Sequence, residues 1–215
     1  KMIGLDRNYT NPSDLVDGIT KKDLRGTKVM LLNMPIREQA KANNAPLGLA
    51  LLAGRLLDYD VDVKIIDLNA YRVKDVEAEN KGLVNGRVLN EDEIESLFSK
   101  HIEFYGDQDL IAMSGLVTTL TWQKKVSEII RKHQPSTMIV SGGGLATEFR
   151  SVLFNWIPEL NGVAHSEGDD VILKLALDAK VLRKKSNTNL NKLKPYFLGE
   201  INGKNRFLYD GGRPS

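Results

Sequence analysis

The stretch TMIVSGGGLATEF, residues 137–149, decides how this chain folds, because an apolar, partly β-branched run meets three consecutive glycines and then a segment of helical character. A short apolar run closed by glycine reads as a buried strand, and a helix after it completes a strand–turn–helix unit. Three glycines at the junction weaken regular structure, so they raise a question of close approach: something comes nearer to the backbone than a Cβ permits.

Four more runs of the same kind lie on either side: residues 28–33 (KVMLLN), 61–67 (VDVKIID), 109–114 (DLIAMS) and 162–165 (GVAH). Helical patterns alternate with them. Residues 47–58 carry an apolar face of Leu49, Leu52 and Leu56 behind Pro46, which suits a first turn. Further helices are expected over 91–104, over 120–133 with Val126, Ile129 and Ile130 inward, over 148–156 and over 169–179. Alternating strands and helices predict βαβ units and a parallel sheet covered on both faces. Right-handed crossovers then favour a doubly wound α/β fold, flavodoxin-like or Rossmann-like, with five parallel strands in the order 2-1-3-4-5.

Residues 71–90 are too long for a plain connector. A basic, polar link, Arg183 to Asn187, precedes two apolar stretches around Asn202-Gly203, which reads as a β-hairpin over 196–210. The expected organisation is an N-terminal extension (1–26), the α/β domain (27–182), and a linker with hairpin (183–215) leading into a further domain. The Lys1 start and the Gly-Gly-Arg-Pro-Ser ending suggest a piece of something longer.

The chain has 215 residues, 30 basic against 28 acidic, and a formal charge of +2 spread along its length, so charge does not suggest nucleic-acid binding. It has no cysteine, which removes disulfides, thiol catalysis and iron–sulfur ligation of its own. No apolar run approaches the ~18 residues of a membrane span, and the polar start lacks a signal-peptide core. A cytoplasmic protein, without membrane or nucleic-acid partners, is expected.

In a doubly wound sheet the loops leaving the strands converge at the carboxyl edge, beside the switch point. Here they read Asn33-Met34-Pro35, then Ser114-Gly115-Leu116-Val117-Thr118-Thr119, then Gly142-Gly143-Gly144-Leu145-Ala146-Thr147, then His165-Ser166-Glu167-Gly168. Small, neutral, hydroxyl-bearing and apolar residues dominate. Apart from Glu167 and Asp169, no carboxylate, lysine or nucleophile–base pair is present, so the edge reads as built to bind rather than to react, and no residue is expected to be catalytic. Glycines would clear space for a flat ligand, while hydroxyls and free helix-start amides would meet polar groups at its rim. Each element also has a plainer role: a loose βα turn for the glycines, helix capping for Thr118 or Thr119, helix-dipole complementarity for Glu167. His165, without ligand partners at suitable spacing, reads as structural, and no metal ligand is expected. The glycines do not form the GxGxxG of a dinucleotide site.

Taken together, Asn33-Met34-Pro35, Pro46-Leu47-Gly48-Leu49 with Leu52-Ala53, Ile65-Ile66-Asp67, the third strand ending in Ser114, Gly142 to Thr147 and Ser166-Glu167-Gly168-Asp169 form a pattern in order and spacing. This pattern, over about residues 27–179, resembles the N-terminal cobalamin-binding domain of cobalamin-dependent radical S-adenosylmethionine enzymes. The fifth turn departs from the family's Gly-Glu-Gly-Glu at its first glycine. The DxHxxG motif of the other large group of cobalamin modules is absent, since Pro35-Ile36-Arg37-Glu38-Gln39 follows the first strand.

The resemblance implies a base-off cobalamin whose corrin lies over the strand ends, with Leu116 or Val117 beneath the cobalt and the nucleotide tail between loops three to five. Its contacts would come from Asn33, Met34, Pro35, Ser114, Gly115, Leu116, Val117, Thr118, Gly142, Gly143, Gly144, Leu145, Thr147, Ser166 and Glu167. It also implies a radical S-adenosylmethionine barrel C-terminal to this chain, holding a [4Fe–4S] cluster and S-adenosylmethionine, in a parent enzyme of methyltransferase or related radical chemistry. Alternatives remain at this point. A receiver lacks its acidic residues where Asn33 and Ser114 stand, a flavin site has only Trp122 as a nearby aromatic, and a nucleotide-sugar or acyl-binding domain would also suit glycine-rich strand ends.

Overall fold

The computed structural model describes residues 18–36, 38–39, 45–183 and 197–212, without the side chain of Phe197. The N-terminal stretch to residue 17, the basic link after Arg183 and the final Arg-Pro-Ser lie outside the described residues.

At the centre lies β1 (Lys28–Asn33), with four of its six residues buried. It pairs in parallel with β2 (Asp62–Asp67) on one side and β3 (Leu110–Ser114) on the other. β4 (Met138–Gly142) and β5 (Gly162–His165) continue the parallel order. The order of these five strands is 2-1-3-4-5, as the sequence predicts.

The hairpin is an integral part of that sheet rather than an appendage. β7 (Lys204–Asp210) pairs in parallel with β5 from Gly162–Phe207 to His165–Asp210, and β6 (Phe197–Ile201) pairs antiparallel outside it. The result is one seven-stranded sheet, 2-1-3-4-5-7-6, with six parallel strands. Burial explains the insertion: Phe207 and Tyr209 are fully buried on one face and Leu208 nearly so on the other, whereas β5 alone would leave a four-residue edge.

Side chains alternate along each strand and divide the core in two. Val29, Leu31, Leu110, Val140, Phe207 and Tyr209 pack with a short helix α1 (Lys21–Leu24), with α2 (Leu47–Leu57) and with the final helix, α8 (Val171–Arg183). Met30, Leu32, Ile111, Met113, Ile139 and Val163 pack on the opposite face with α4 (Glu91–Tyr105), α5 (Leu120–His133), α6 (Gly143–Phe149) and α7 (Leu153–Trp156). The helix after β1 and the helix after β3 thus lie on opposite faces of adjacent strands. That is the switch point.

Between β2 and α4 the long connection forms a short helix, α3 (Val76–Asn80), and a lone bridge between Val73 and Arg87. Buried Arg87 anchors it: Nε bonds Asp75 at 2.8 Å, and Nη1 and Nη2 bond Glu93 at 2.7 and 2.8 Å. The guanidinium holds both carboxyl groups below their usual range, with further help from the Ala78 amide at Asp75 and the Asn90 amide at Glu93. Glu93 also completes a capping box with Asn90, so one carboxylate serves both the helix start and the strap.

β7 is tied to α8 through Tyr209, whose hydroxyl donates to fully buried Asp178 at 2.8 Å; Lys174 bonds the other carboxylate oxygen. Burial pushes the Asp178 carboxyl up, against the opposing pull of Lys174 and Tyr209. Replacing Tyr209 by Phe removes a bond that favours the ionised form, and is expected to cost about 1–3 kcal/mol at neutral pH. Because a raised acid pKa means that the fold takes up a proton as pH falls, this penalty should shrink toward acid pH. Urea unfolding of the two proteins across that range checks both the size and the sign.

Candidate functional site

All six parallel strands present their carboxyl ends at one edge, and the loops there differ in how much they offer a ligand. In the first loop, the Asn33 amide donates to Asp67 at 2.8 Å, Met34 is fully buried in the core, and Pro35 is buried, leaving Ile36 exposed. Asn33 and Met34 therefore shape the edge from beneath.

The third loop stands out into solvent. Leu116 and Val117, two adjacent aliphatic side chains, are 54% and 51% exposed, and Thr118 beside them is exposed too. A 3-10 turn (Val117–Thr119) leads into α5. The Thr119 hydroxyl donates to the Leu116 carbonyl at 2.7 Å, and thus steadies the loop in place of capping the helix amides. An ideal Cβ at Gly115 would sit 2.1 Å from that hydroxyl, so only glycine fits.

The triple glycine is where the sequence expectation shifts. The helix expected from residue 148 begins at Gly143, directly after the strand, and breaks at Arg150, whose φ is +46°. Gly143 makes the turn with φ of +78°, and a Cβ there would lie 2.9 Å from Ser114 Oγ and 3.1 Å from the Gly115 carbonyl. The Leu145 amide then donates to that same carbonyl at 3.0 Å. What approaches the glycine backbone is, in the first place, the neighbouring loop. Gly143 and Gly144 remain exposed, Gly142 is half-buried, and Leu145 turns inward to full burial.

The fifth loop is bound to the fourth. The Thr147 hydroxyl donates to the Gly143 carbonyl and accepts from the Ser166 amide, both at 3.1 Å. Ser166 adopts φ of +68°, Glu167 is exposed, and Gly168, ahead of α8, lies against Leu52. His165 beneath it is 4% exposed, with Nδ1 3.1 Å from Ser166 Oγ and 3.5 Å from Asp210. Burial lowers its pKa against the attraction of Asp210, which favours a neutral imidazole held inside. Among the described residues, no group of three or more His, Asp or Glu side chains is placed to hold a metal ion.

Two features escape sequence reading. Gln123 is fully buried and accepts from Ser141 Oγ at 2.6 Å, so a polar contact fixes β4 to α5 just below the edge. A cleft of about 330 Å³ also opens beside the first loop, between Pro35, Ile36, Arg87, Trp122 and Lys125. Trp122 belongs to that cleft and to the core, rather than to the open edge.

The edge is therefore an apolar step, Leu116-Val117, beside an open glycine floor, Gly143-Gly144, rimmed by Ser114, Thr118 and the Ser166-Glu167 turn. No protein-family model matches this sequence, and no curated protein matches it. Among solved structures the chain is similar to TsrM from Kitasatospora setae, a radical S-adenosylmethionine methyltransferase. With tryptophan substrate and a S-adenosylmethionine analogue bound, that structure gives a TM-score of 0.52 at 15% identity, over 76% of this chain and 27% of TsrM. With cobalamin and a [4Fe–4S] cluster bound, it gives 0.50 at 15% identity, over 75% and 25%. The likeness is one of fold, and the chain spans about a quarter of the length of TsrM. No helix among the described residues is long and apolar enough to cross a membrane.

The close approach of loops three and four gives a direct test. Gly143→Ala, strained by its φ and by contact with Ser114, should destabilise the protein by about 1–3 kcal/mol. Gly48→Ala, in a helix with open space around it, should stabilise by about 0.5–1 kcal/mol. Denaturant midpoints of the two variants check the contrast.

Proposed function

We propose that this chain is the cobalamin-binding module of a radical S-adenosylmethionine enzyme, of methyltransferase or related radical chemistry, and that cobalamin binds it base-off over the carboxyl edge. The observation that carries the reading is the exposed Leu116-Val117 step beside the Gly143-Gly144 floor, on a fold shared with part of a structure that has cobalamin bound.

The residues present suit such a group. Leu116 and Val117 would lie beneath the corrin and keep water from its lower face, and neither can coordinate a metal. His165 is buried and engaged with Ser166, so it does not reach upward as a ligand. A side chain at Gly143 would intrude on the space between loops three and four. Ser114, Thr118 and the Ser166-Glu167 turn would orient the cofactor by hydrogen bonds to amide groups at its rim, and the nucleotide tail would run between loops three to five. Once bound, cobalamin supplies a cobalt centre able to carry a methyl group. The chain's own part is to bind, orient and shield; the reaction, S-adenosylmethionine and the [4Fe–4S] cluster would belong to a barrel domain elsewhere in the parent enzyme, a cytoplasmic protein.

Mixing the purified chain with hydroxocobalamin, desalting, and recording the visible spectrum tests this. Stoichiometric retained colour with a base-off spectrum is expected, lost in Gly143→Leu. A folded wild-type chain that retains no cobalamin at saturating concentration overturns the reading. A nitrogen-ligated spectrum overturns the base-off assignment alone.

A further inference from the structure

Because β7 runs parallel to β5, its carboxyl end reaches the same edge as the ligand-facing loops. The turn that follows it, Asp210-Gly211-Gly212, lies against the fifth loop, and both glycines are buried. An ideal Cβ at Gly211 would fall 1.6 Å from the Glu167 carbonyl oxygen and 2.8 Å from the Glu167 nitrogen, the tightest approach made by any described glycine.

One peptide unit shows what this contact does. The carbonyl of His165 accepts from the Gly211 amide at 2.9 Å, and the amide of Ser166, in the same planar unit, donates to Thr147 Oγ1 at 3.1 Å. The unit is therefore clamped from β7 on one side and from α6 on the other. Ser166 φ is the rotation directly after that plane, and it stands at +68°, a value that serine holds only when its surroundings impose it. Glu167, next in line, is pressed by Gly211 from behind and exposed in front.

We infer that the turn after β7 is a sixth loop of the ligand-binding edge, and that Gly211 is a positioning residue which, with Thr147, sets the Ser166-Glu167 turn in the form that meets the ligand. This rests on the cobalamin reading for the identity of the ligand, whereas the clamp itself is a property of the chain alone. The hairpin is thereby a working part of the site: it acts through the fifth loop without touching the cofactor.

The test uses the full chain with Gly211→Ala, Thr147→Val and Thr147→Ser. In the cofactor-free protein, amide exchange at Ser166 should rise about tenfold or more in the first two variants, as expected for loss of one hydrogen bond in a strained turn. Exchange in the central strands should be unchanged, and Thr147→Ser should restore the wild-type rate. Hydroxocobalamin affinity should fall by about tenfold or more in Gly211→Ala and Thr147→Val, and recover in Thr147→Ser. If Gly211→Ala does not fold, Thr147→Val, at an exposed position, reads the same clamp from its other side. Unchanged exchange overturns the clamp, and raised exchange with unchanged affinity overturns its role in binding. Raised exchange in a chain whose wild type binds no cobalamin keeps the clamp and rejects the cobalamin reading.

Discussion

Right-handed crossovers cannot place the helices after β1 and β3 on the same face and still cover both sides of the sheet. One helix must pass in front and the other behind, so the two loops part as they leave adjacent strands. The opening above the strand ends follows from that constraint. Its floor follows from a second one: loop four lies so close to loop three that a Cβ at Gly143 would press on Ser114 and Gly115, while within loop three Gly115 is closed off by Thr119. An open edge of ordinary residues would fill with side chains, whereas here the space is held clear by backbone packed on backbone.

Much of this was legible in the sequence, and the parts that were not share a physical reason. The five central strands are short apolar runs, and their order follows from alternation and handedness, so local pattern suffices. The role of the glycines was legible only in part. Clearing space for a ligand is what their chemistry suggests, but the nearest neighbours of Gly143 are Ser114 and Gly115, a contact between segments far apart in the chain. The start of α6 at Gly143 was missed for the same reason: helix propensity argues against glycine, and the tertiary bond from the Leu145 amide to Gly115 overrides it.

The hairpin was legible as a hairpin but not as a place in the sheet. Asn202-Gly203 marks the turn, with φ of +54° and +73°, yet nothing local in the sequence says that β7 slots in beside β5. That depends on burying Phe207 and Tyr209 under α8, where Tyr209 meets Asp178. The strap over 71–90 was likewise legible only as unusually long. Its order comes from Arg87, a residue which in sequence looks like any surface arginine and which three-dimensional pairing with Asp75 and Glu93 brings inside.

The reversed outer strand has a consequence for the border of the sheet. A sheet of parallel strands that ended on β5 or β7 would offer neighbours a straight row of unpaired amides and carbonyls. β6 runs the other way, its register with β7 slips between Phe197 and Gly199, and Gly199 has φ of +114°. Such a kinked, bulged border is a poor template for another strand. At the opposite border β2 carries Asp62 and Lys64, charges that resist being dried between two sheets. The same hairpin that packs against the fifth loop therefore also gives the sheet a border that is hard to extend by another strand.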